Sequence, residues 1–255
     1  MVKLSIVIPA YNEGKRIKKT LEAYCMFFNK KIEFELQVIV NGCTDNTLNV
    51  VSETAQKHPQ IKYKDIGKVA SKGAAVQEGF NIAQGELIGF VDADLATPPK
   101  AFYDLVQNIE GYDGVVASRW MKDSKIDQRQ SLTRIIAGRA FNKLVNVFFH
   151  LHLKDTQCGA KLFRKEAIKK VNPQLGITRW AFDVDLLYHM KRDSYKIKEI
   201  PTEWNEPGGS HLKSSTIIEM FFAILRLRLI YSPLKFVVTM YDTSPEFLKI
   251  SRWFR

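Results

Sequence analysis

The chain has 255 residues, 45% of them hydrophobic and 25% charged, and a formal net charge of +11. That length holds one large α/β domain or a domain with an appendage, and the composition excludes disordered, collagen-like and disulfide-scaffold chains. The positive charge suits phosphate-rich small molecules, an anionic membrane or nucleic acid.

The apolar run at residues 4–9 predicts a buried strand, followed by a loop at 10–14 and a helix over 15–28. A second strand at 34–40 leads into Asn41-Gly42-Cys43-Thr44-Asp45 and a helix over 46–57. Residues 61–66 read as a weaker strand, and Ser71-Lys72-Gly73 opens a helix to about 83. A fourth strand over 87–91 ends in Asp92-Ala93-Asp94, Pro98 and Pro99 start another helix, and 115–118 is a further strand. Such alternation with short loops predicts a mostly parallel sheet wrapped by helices, and the nearly continuous apolar strands fit burial on both faces.

Beyond residue 119 the alternation weakens. A long helix is predicted at 134–152, a turn into a strand at 155–163, a short helix at 165–171, a helix at 182–191 and a strand at 197–203. Thr216-Ile217-Ile218-Glu219 has the form of a capping box at a helix start. The helix it opens is rich in Ile, Leu and Phe, carries Arg226 and Arg228, and stops at Pro233. It admits two readings: an amphipathic helix in a membrane interface, or a core helix covering the sheet edge. Residues 1–213 therefore read as the main domain and 214–255 as a helical membrane-interface segment without independence of its own. No apolar run reaches the ~18 residues that would suggest a spanning helix.

Two carboxylates one residue apart on an extended strand share a face, so Asp92 and Asp94 are expected together at the strand's C-terminal end. Open α/β sheets bind ligands at that edge, and a hard cation such as Mg²⁺ is held by one or two carboxylates plus phosphate oxygens. The alternative is an acidic turn with no ligand. Cys25, Cys43 and Cys158 lack metal-ligand spacing and are odd in number, which predicts free thiols and a reducing compartment. The chain enters its first strand directly, so no signal peptide is expected. The aromatics do not interleave with basic residues as a base-stacking platform requires, so no nucleic-acid partner is expected.

Five stretches carry a resemblance: Ile6-Val7-Ile8-Pro9-Ala10-Tyr11-Asn12-Glu13; Lys72-Gly73-Ala74-Ala75-Val76; Asp92-Ala93-Asp94; the run from Asp155 to Phe163; and the run from Arg179 to Tyr188. In this order they resemble the family 2 glycosyltransferases of GT-A fold, over roughly residues 2–232, and most closely the dolichyl-phosphate β-glucosyltransferases and their polyprenyl-phosphate relatives. The opening stretch is common to the superfamily; the last two point to the lipid-phosphate branch. The resemblance implies an inverting, metal-dependent hexosyltransferase that moves a sugar, glucose from UDP-glucose by first preference, to dolichyl or polyprenyl phosphate. It would work peripherally on the cytoplasmic face of an anionic membrane, with Mg²⁺ or Mn²⁺. The alternatives are a glycan-hydroxyl acceptor, or a GDP-mannose donor as in dolichyl-phosphate mannose synthases.

The same resemblance assigns roles. Pro9, Ala10, Tyr11, Glu13 and Asn41 would border the nucleoside, with Lys72 near the donor and Arg119 and Arg134 as candidates for holding phosphates. Asp92 would face the ribose or the metal, and Asp94 would bind the metal. Asp155, Lys161 and Asp183 would serve catalysis, and Gln157, Trp180, Asp185, His211 and Lys213 the acceptor. Asp183 and Asp185 also suit a solvated first helical turn, Trp180 and Phe182 a core, and His189 a structural role. Three departures from the family pattern stand out. Asn41-Gly42-Cys43 replaces an acidic motif after the second strand, Ala96 cannot be a side-chain metal ligand, and Gly209-Ser210-His211 replaces Gly-Ser-Lys, with Lys213 nearby.

A lipid phosphate, with a second pKa near 6, is already an anion and needs cations rather than a base. A sugar hydroxyl would need a base, for which Asp183 or Asp155 would serve.

Overall fold

The computed structural model describes residues 2–67, 71–127, 132–176, 181–205 and 214–243, except for the side chains of 132–134 and 214–217. Strands β1 (Leu4–Ala10), β2 (Phe34–Val40) and β4 (Leu87–Phe90) are buried almost throughout, the mark of strands covered on both faces. Side chains alternate between the layers: Ile6 and Ile8 enter one core while Val7 enters the other. On the first face lie α1 (Ile17–Phe28), α2 (Thr47–Lys57) and α4 (Pro99–Gln107), with Tyr24, Phe28 and Phe102 in the core. The second face carries α3 (Lys72–Ile82), α5 (Leu132–Phe149), α6 (Lys165–Val171) and α7 (Phe182–Arg192).

The main sheet has seven strands, and with β3 (Ile61–Asp65), β5 (Gly114–Ser118), β7 (Lys161–Arg164) and β8 (Ile197–Pro201) its order is β3-β2-β1-β4-β7-β5-β8. β1 pairs in parallel with β2 on one side and with β4 on the other. The chain thus reverses its direction of growth beside β1, the topological switch point where open sheets bind ligands. β7 is the antiparallel exception between β4 and β5. Its register sets Lys161 opposite both Phe90 and Val116, beside the end of β4. A small second sheet pairs β6 (Lys125–Ile126) with β9 (Glu203–Trp204).

Predicted and observed boundaries agree within a few residues, the ordinary scatter of helix ends. The predicted strand over 197–203 is broken at Thr202, with its last residues in the second sheet. The capping box is a correction: α8 (Ser214–Ile230) already includes Ser214 and Ser215, so Thr216 is not at its start. The reading as a core helix holds for one face of it. Ile224 and Leu227 are buried in the second core, while Ile218 and Phe221 are exposed. Helix α9 (Lys235–Thr243) lies against α8, joined to it by a bidentate pair between Arg226 and Asp242. Among the described residues no helix is long and apolar enough to cross a membrane.

Candidate active site

The acidic pair lies beyond β4, not on it. The strand ends at Phe90, Val91 still donates to the Val7 carbonyl, and Asp92 and Asp94 then sit in a turn that contains Leu95 at φ 60°. Strand alternation therefore does not bring the carboxylates together; the turn does. α1 holds that turn in place: Thr20 Oγ1 donates to the Ala93 carbonyl at 2.7 Å and the Tyr24 hydroxyl to the Thr97 carbonyl at 2.9 Å. The Ala96 N–H closes the turn on Asp94 Oδ1 at 3.0 Å.

Two loops from the switch point flank the turn. Asn12 accepts from Thr44 N–H at 2.8 Å, Glu13 N–H donates to Thr47 Oγ1 at 2.8 Å, and Gly14 N–H donates to Asp45 Oδ2 at 3.1 Å. These bonds tie the loop after β1 to the loop after β2. Asn41, buried, donates its N–H to the Ala10 carbonyl, and Tyr11 stands exposed at the rim beside Pro9.

The carboxylates here are matched with cations one by one. Arg16 grips Glu13 through two 2.8 Å bonds, and Lys72 Nζ lies 2.5 Å from Asp92 Oδ1. Arg119 chelates Asp155, and Lys161 is ion-paired with Asp183. Asp94 alone of this set has no ion-pair partner within 4.0 Å among the described residues. Burial, then repulsion from Asp92, raises its carboxyl above the usual range. Burial depresses the Lys72 ammonium, but Asp92 and Asp183 outweigh that and hold it above its ordinary value.

Asp155 has hydrogen-bond donors on both carboxylate oxygens. It is 2% exposed and accepts from Arg119 N–H, Nε and Nη2 and from Gln157 N–H, so no lone pair is left for a substrate proton. Burial raises its carboxyl, but the Arg119 charge and hydrogen bonds overcome this and leave it below the usual carboxylate range. Its loop is clamped further by Glu199, which accepts from the Lys154 and Asp155 N–H groups, and by Asn142 on α5.

Lys161 is also enclosed. Fully buried, it donates to the Cys158 carbonyl and to Asp183, with its ammonium 5.3 Å from the Phe90 ring centroid. It holds Asp183 and is not exposed to an incoming phosphate. Asp185 lies on another face of α7 from its neighbour: fully buried, it accepts from the Tyr231 hydroxyl at 2.6 Å and from Gly176 N–H at 2.9 Å. Burial lifts its carboxyl to about 6 against those bonds. His189 is structural, sharing the Tyr231 hydroxyl at 2.8 Å, and burial depresses it to about 4.

Gln157 ends with its Nε2 buried and without a hydrogen-bond partner, a donor left open beside the Asp155 loop. Trp180, His211 and Lys213 lie outside the described residues, as does the side chain of Arg134. Sequence reading missed Arg16 and Gly159. Arg16 looks like any basic residue at a helix start. Gly159 touches Asp92 so closely that a Cβ there would lie 1.9 Å from Asp92 Oδ2; its glycine identity was the one available signal.

The donor set suits a hard divalent cation. Among the described residues no three His, Cys, Asp or Glu side chains are arranged to enclose a metal. Two carboxylates, one without a counter-ion, are instead what Mg²⁺ uses when substrate phosphates and water complete its shell.

Paired carboxylates and accessible cations at the switch point suit phosphate-bearing ligands. Residues 5–171 match the family model "Glycosyl transferase family 2". The chain is 35% identical over 242 residues to the dolichyl-phosphate beta-glucosyltransferase ALG5C of Trichomonas vaginalis, covering 90% of this chain and 72% of that one. It is 34% identical over 245 residues to the dolichyl-phosphate beta-glucosyltransferase of Dictyostelium discoideum, covering 90% and 75%. Among solved structures, the glucosyl-3-phosphoglycerate synthase of Mycobacterium tuberculosis in complex with Mn²⁺, UDP and phosphoglyceric acid superposes with a TM-score of 0.66. That pair is 15% identical, over 91% of this chain and 80% of the other, and shares the fold. The chain belongs to glycosyl transferase family 2.

Proposed function

We propose that the chain transfers glucose from UDP-glucose to dolichyl or a related polyprenyl phosphate, with inversion at the anomeric carbon. The observation that carries this reading is the 35% identity, over 90% of this chain, to a dolichyl-phosphate beta-glucosyltransferase. Asp94 and Asp92 would hold Mg²⁺ or Mn²⁺, which when bound offsets the charge that builds on the departing diphosphate. Among the described residues, Lys72 and Arg16 are accessible cations, with side chains 37% and 43% exposed, and would face the same developing charge. Pro9, Ala10, Tyr11 and Asn41 would border the nucleoside.

The protein's carboxylates suit a phosphate acceptor better than a hydroxyl. An acceptor already ionised at neutral pH asks no residue to remove a proton. Asp155 is saturated with donors and Asp183 is held by Lys161, so neither stands ready as a base. Gln157 Nε2 would donate to a sugar or phosphate oxygen, which would satisfy its open valence.

Residues 1–213 would form the catalytic unit and 214–255 its membrane-facing appendage, docked peripherally on the cytoplasmic leaflet. Supporting this, α8, α9 and the turn between them expose Phe221, Leu234, Phe236, Val237 and Met240 alongside Arg228 and Lys235, a mixture suited to an anionic interface. Flotation with anionic and neutral vesicles tests the docking: binding to neither would end that part of the reading. For the reaction, the protein is incubated with Mn²⁺, a short polyprenyl phosphate and radiolabelled UDP-glucose, UDP-N-acetylglucosamine or GDP-mannose, then extracted with organic solvent. Metal-dependent label in the lipid phase from UDP-glucose is expected. Label from none of the donors, with donor binding intact, would point to a hydroxyl acceptor.

A further inference from the structure

The ammonium of Lys72 occupies Oδ1 of Asp92 at 2.5 Å, where a cation bound to that oxygen would sit. This ion pair differs from the other two in the cleft floor. Lys161–Asp183 and Arg119–Asp155 have side chains at most 17% exposed, whereas Lys72 and Asp92 are each 37% exposed. Lys72 is also the first residue of α3, just after the Ser71 cap, so the base of its side chain is fixed at a helix end. Behind Asp92, Gly159 leaves no room for even a methyl group.

We infer that Lys72 is an exchangeable counter-cation: it sits on Asp92 until a divalent ion and a nucleotide diphosphate enter together, then passes to the diphosphate. The inference rests on the reading of Asp92 and Asp94 as the metal carboxylates. Like charges sharing one carboxylate repel. A divalent ion arriving alone must compete with Lys72. One arriving with a diphosphate brings Lys72 a new anionic partner, so the competition is relieved. The site then favours metal with nucleotide over metal alone, and by linkage each raises the affinity for the other.

Mn²⁺ binding, followed by the electron paramagnetic resonance signal of free Mn²⁺, tests this without turnover. Lys72→Met should bind Mn²⁺ about three- to fivefold more tightly than wild type without nucleotide, the scale of a partly exposed ion pair. Adding UDP should then tighten Mn²⁺ binding less in the variant than in wild type. Lys72→Arg keeps the charge and should behave as wild type. Unchanged or weaker Mn²⁺ binding in Lys72→Met, or tighter binding in Lys72→Arg, would overturn the exchange. Circular dichroism and melting of each variant guard against misfolding, and Lys72→Gln gives the same answer if Met does not fold. Mn²⁺ bound by no variant and not by wild type, even with UDP, would refute the metal reading and the exchange with it; equal binding in all of them refutes the exchange alone.

Discussion

Replacing Tyr231 by Phe removes one hydroxyl and leaves its ring packed at 5.0 Å from Tyr188 and 5.1 Å from His189. The hydroxyl donates to Asp185 at 2.6 Å, inside a core where that carboxylate is fully buried. Asp185 binds its proton near 3.8 when unfolded and near 6 when folded. Between those values the folded chain holds more protons, so this group makes stability fall as pH rises through about 4 to 6. A gap of about 2 units corresponds to about 3 kcal/mol of cost at neutral pH. The Tyr231 hydroxyl restrains that cost, and a hydrogen bond to an ionised group contributes about 1.5–3 kcal/mol against about 0.5–1.5 for a neutral one. Tyr231→Phe should therefore cost about 2 kcal/mol at pH 7.5, where Asp185 is ionised, and about 1 at pH 5, where it is protonated. At roughly 2–4 °C per kcal/mol for a chain of this size, the melting temperature falls by about 4–8 °C at pH 7.5 and about half that at pH 5. His189, neutral in the folded chain at both values, loses the same partner in each and drops out of the comparison. Thermal unfolding followed by circular dichroism at the two pH values is the assay. An equal loss at both, or a larger one at pH 5, would refute the assignment of an ionised, hydroxyl-supported Asp185.

Three further outcomes are expected. Asp94→Asn should abolish transfer while raising the melting temperature by a few degrees, because it removes a charge that burial and Asp92 disfavour; a less stable variant, or one that keeps near-normal turnover, contradicts that account. Gly159→Ala forces a Cβ into the Asp92 carboxylate and should lower kcat/KM by at least about a hundredfold with little change in far-ultraviolet circular dichroism. Lys161→Met strands the Asp183 carboxylate in the core and should cost about 3–5 kcal/mol in urea unfolding, a loss that Asp183→Asn in the same chain should largely recover.

Much of the fold was legible without coordinates. Apolar strands between helical segments announce a parallel sheet because burial on both faces leaves no polar alternation, and β1, β2 and β4 obey this. The acidic pair was legible for its composition and its place after a strand. The geometry inferred for it was not correct, since a turn with Leu95 at positive φ takes over from the strand at Phe90.

The sequence by itself determined which segments form strands and helices and that a pair of carboxylates would follow β4, both from local periodicity and from residues near one another along the chain. Its resemblance to the family 2 glycosyltransferases rests instead on five matching stretches taken in order. Tertiary structure alone decided which cation each carboxylate receives. Asp155 meets Arg119 across 36 residues and Asp183 meets Lys161 across 22. Those choices depend on the antiparallel insertion of β7, which carries Lys161 to the end of β4. They depend also on burial, which in α7 gives Asp183 to Lys161 and Asp185, two residues on, to Tyr231 just after α8. Two acids with the same chemistry acquire different roles because desolvation makes each take the nearest charge or donor that the packed chain brings to it.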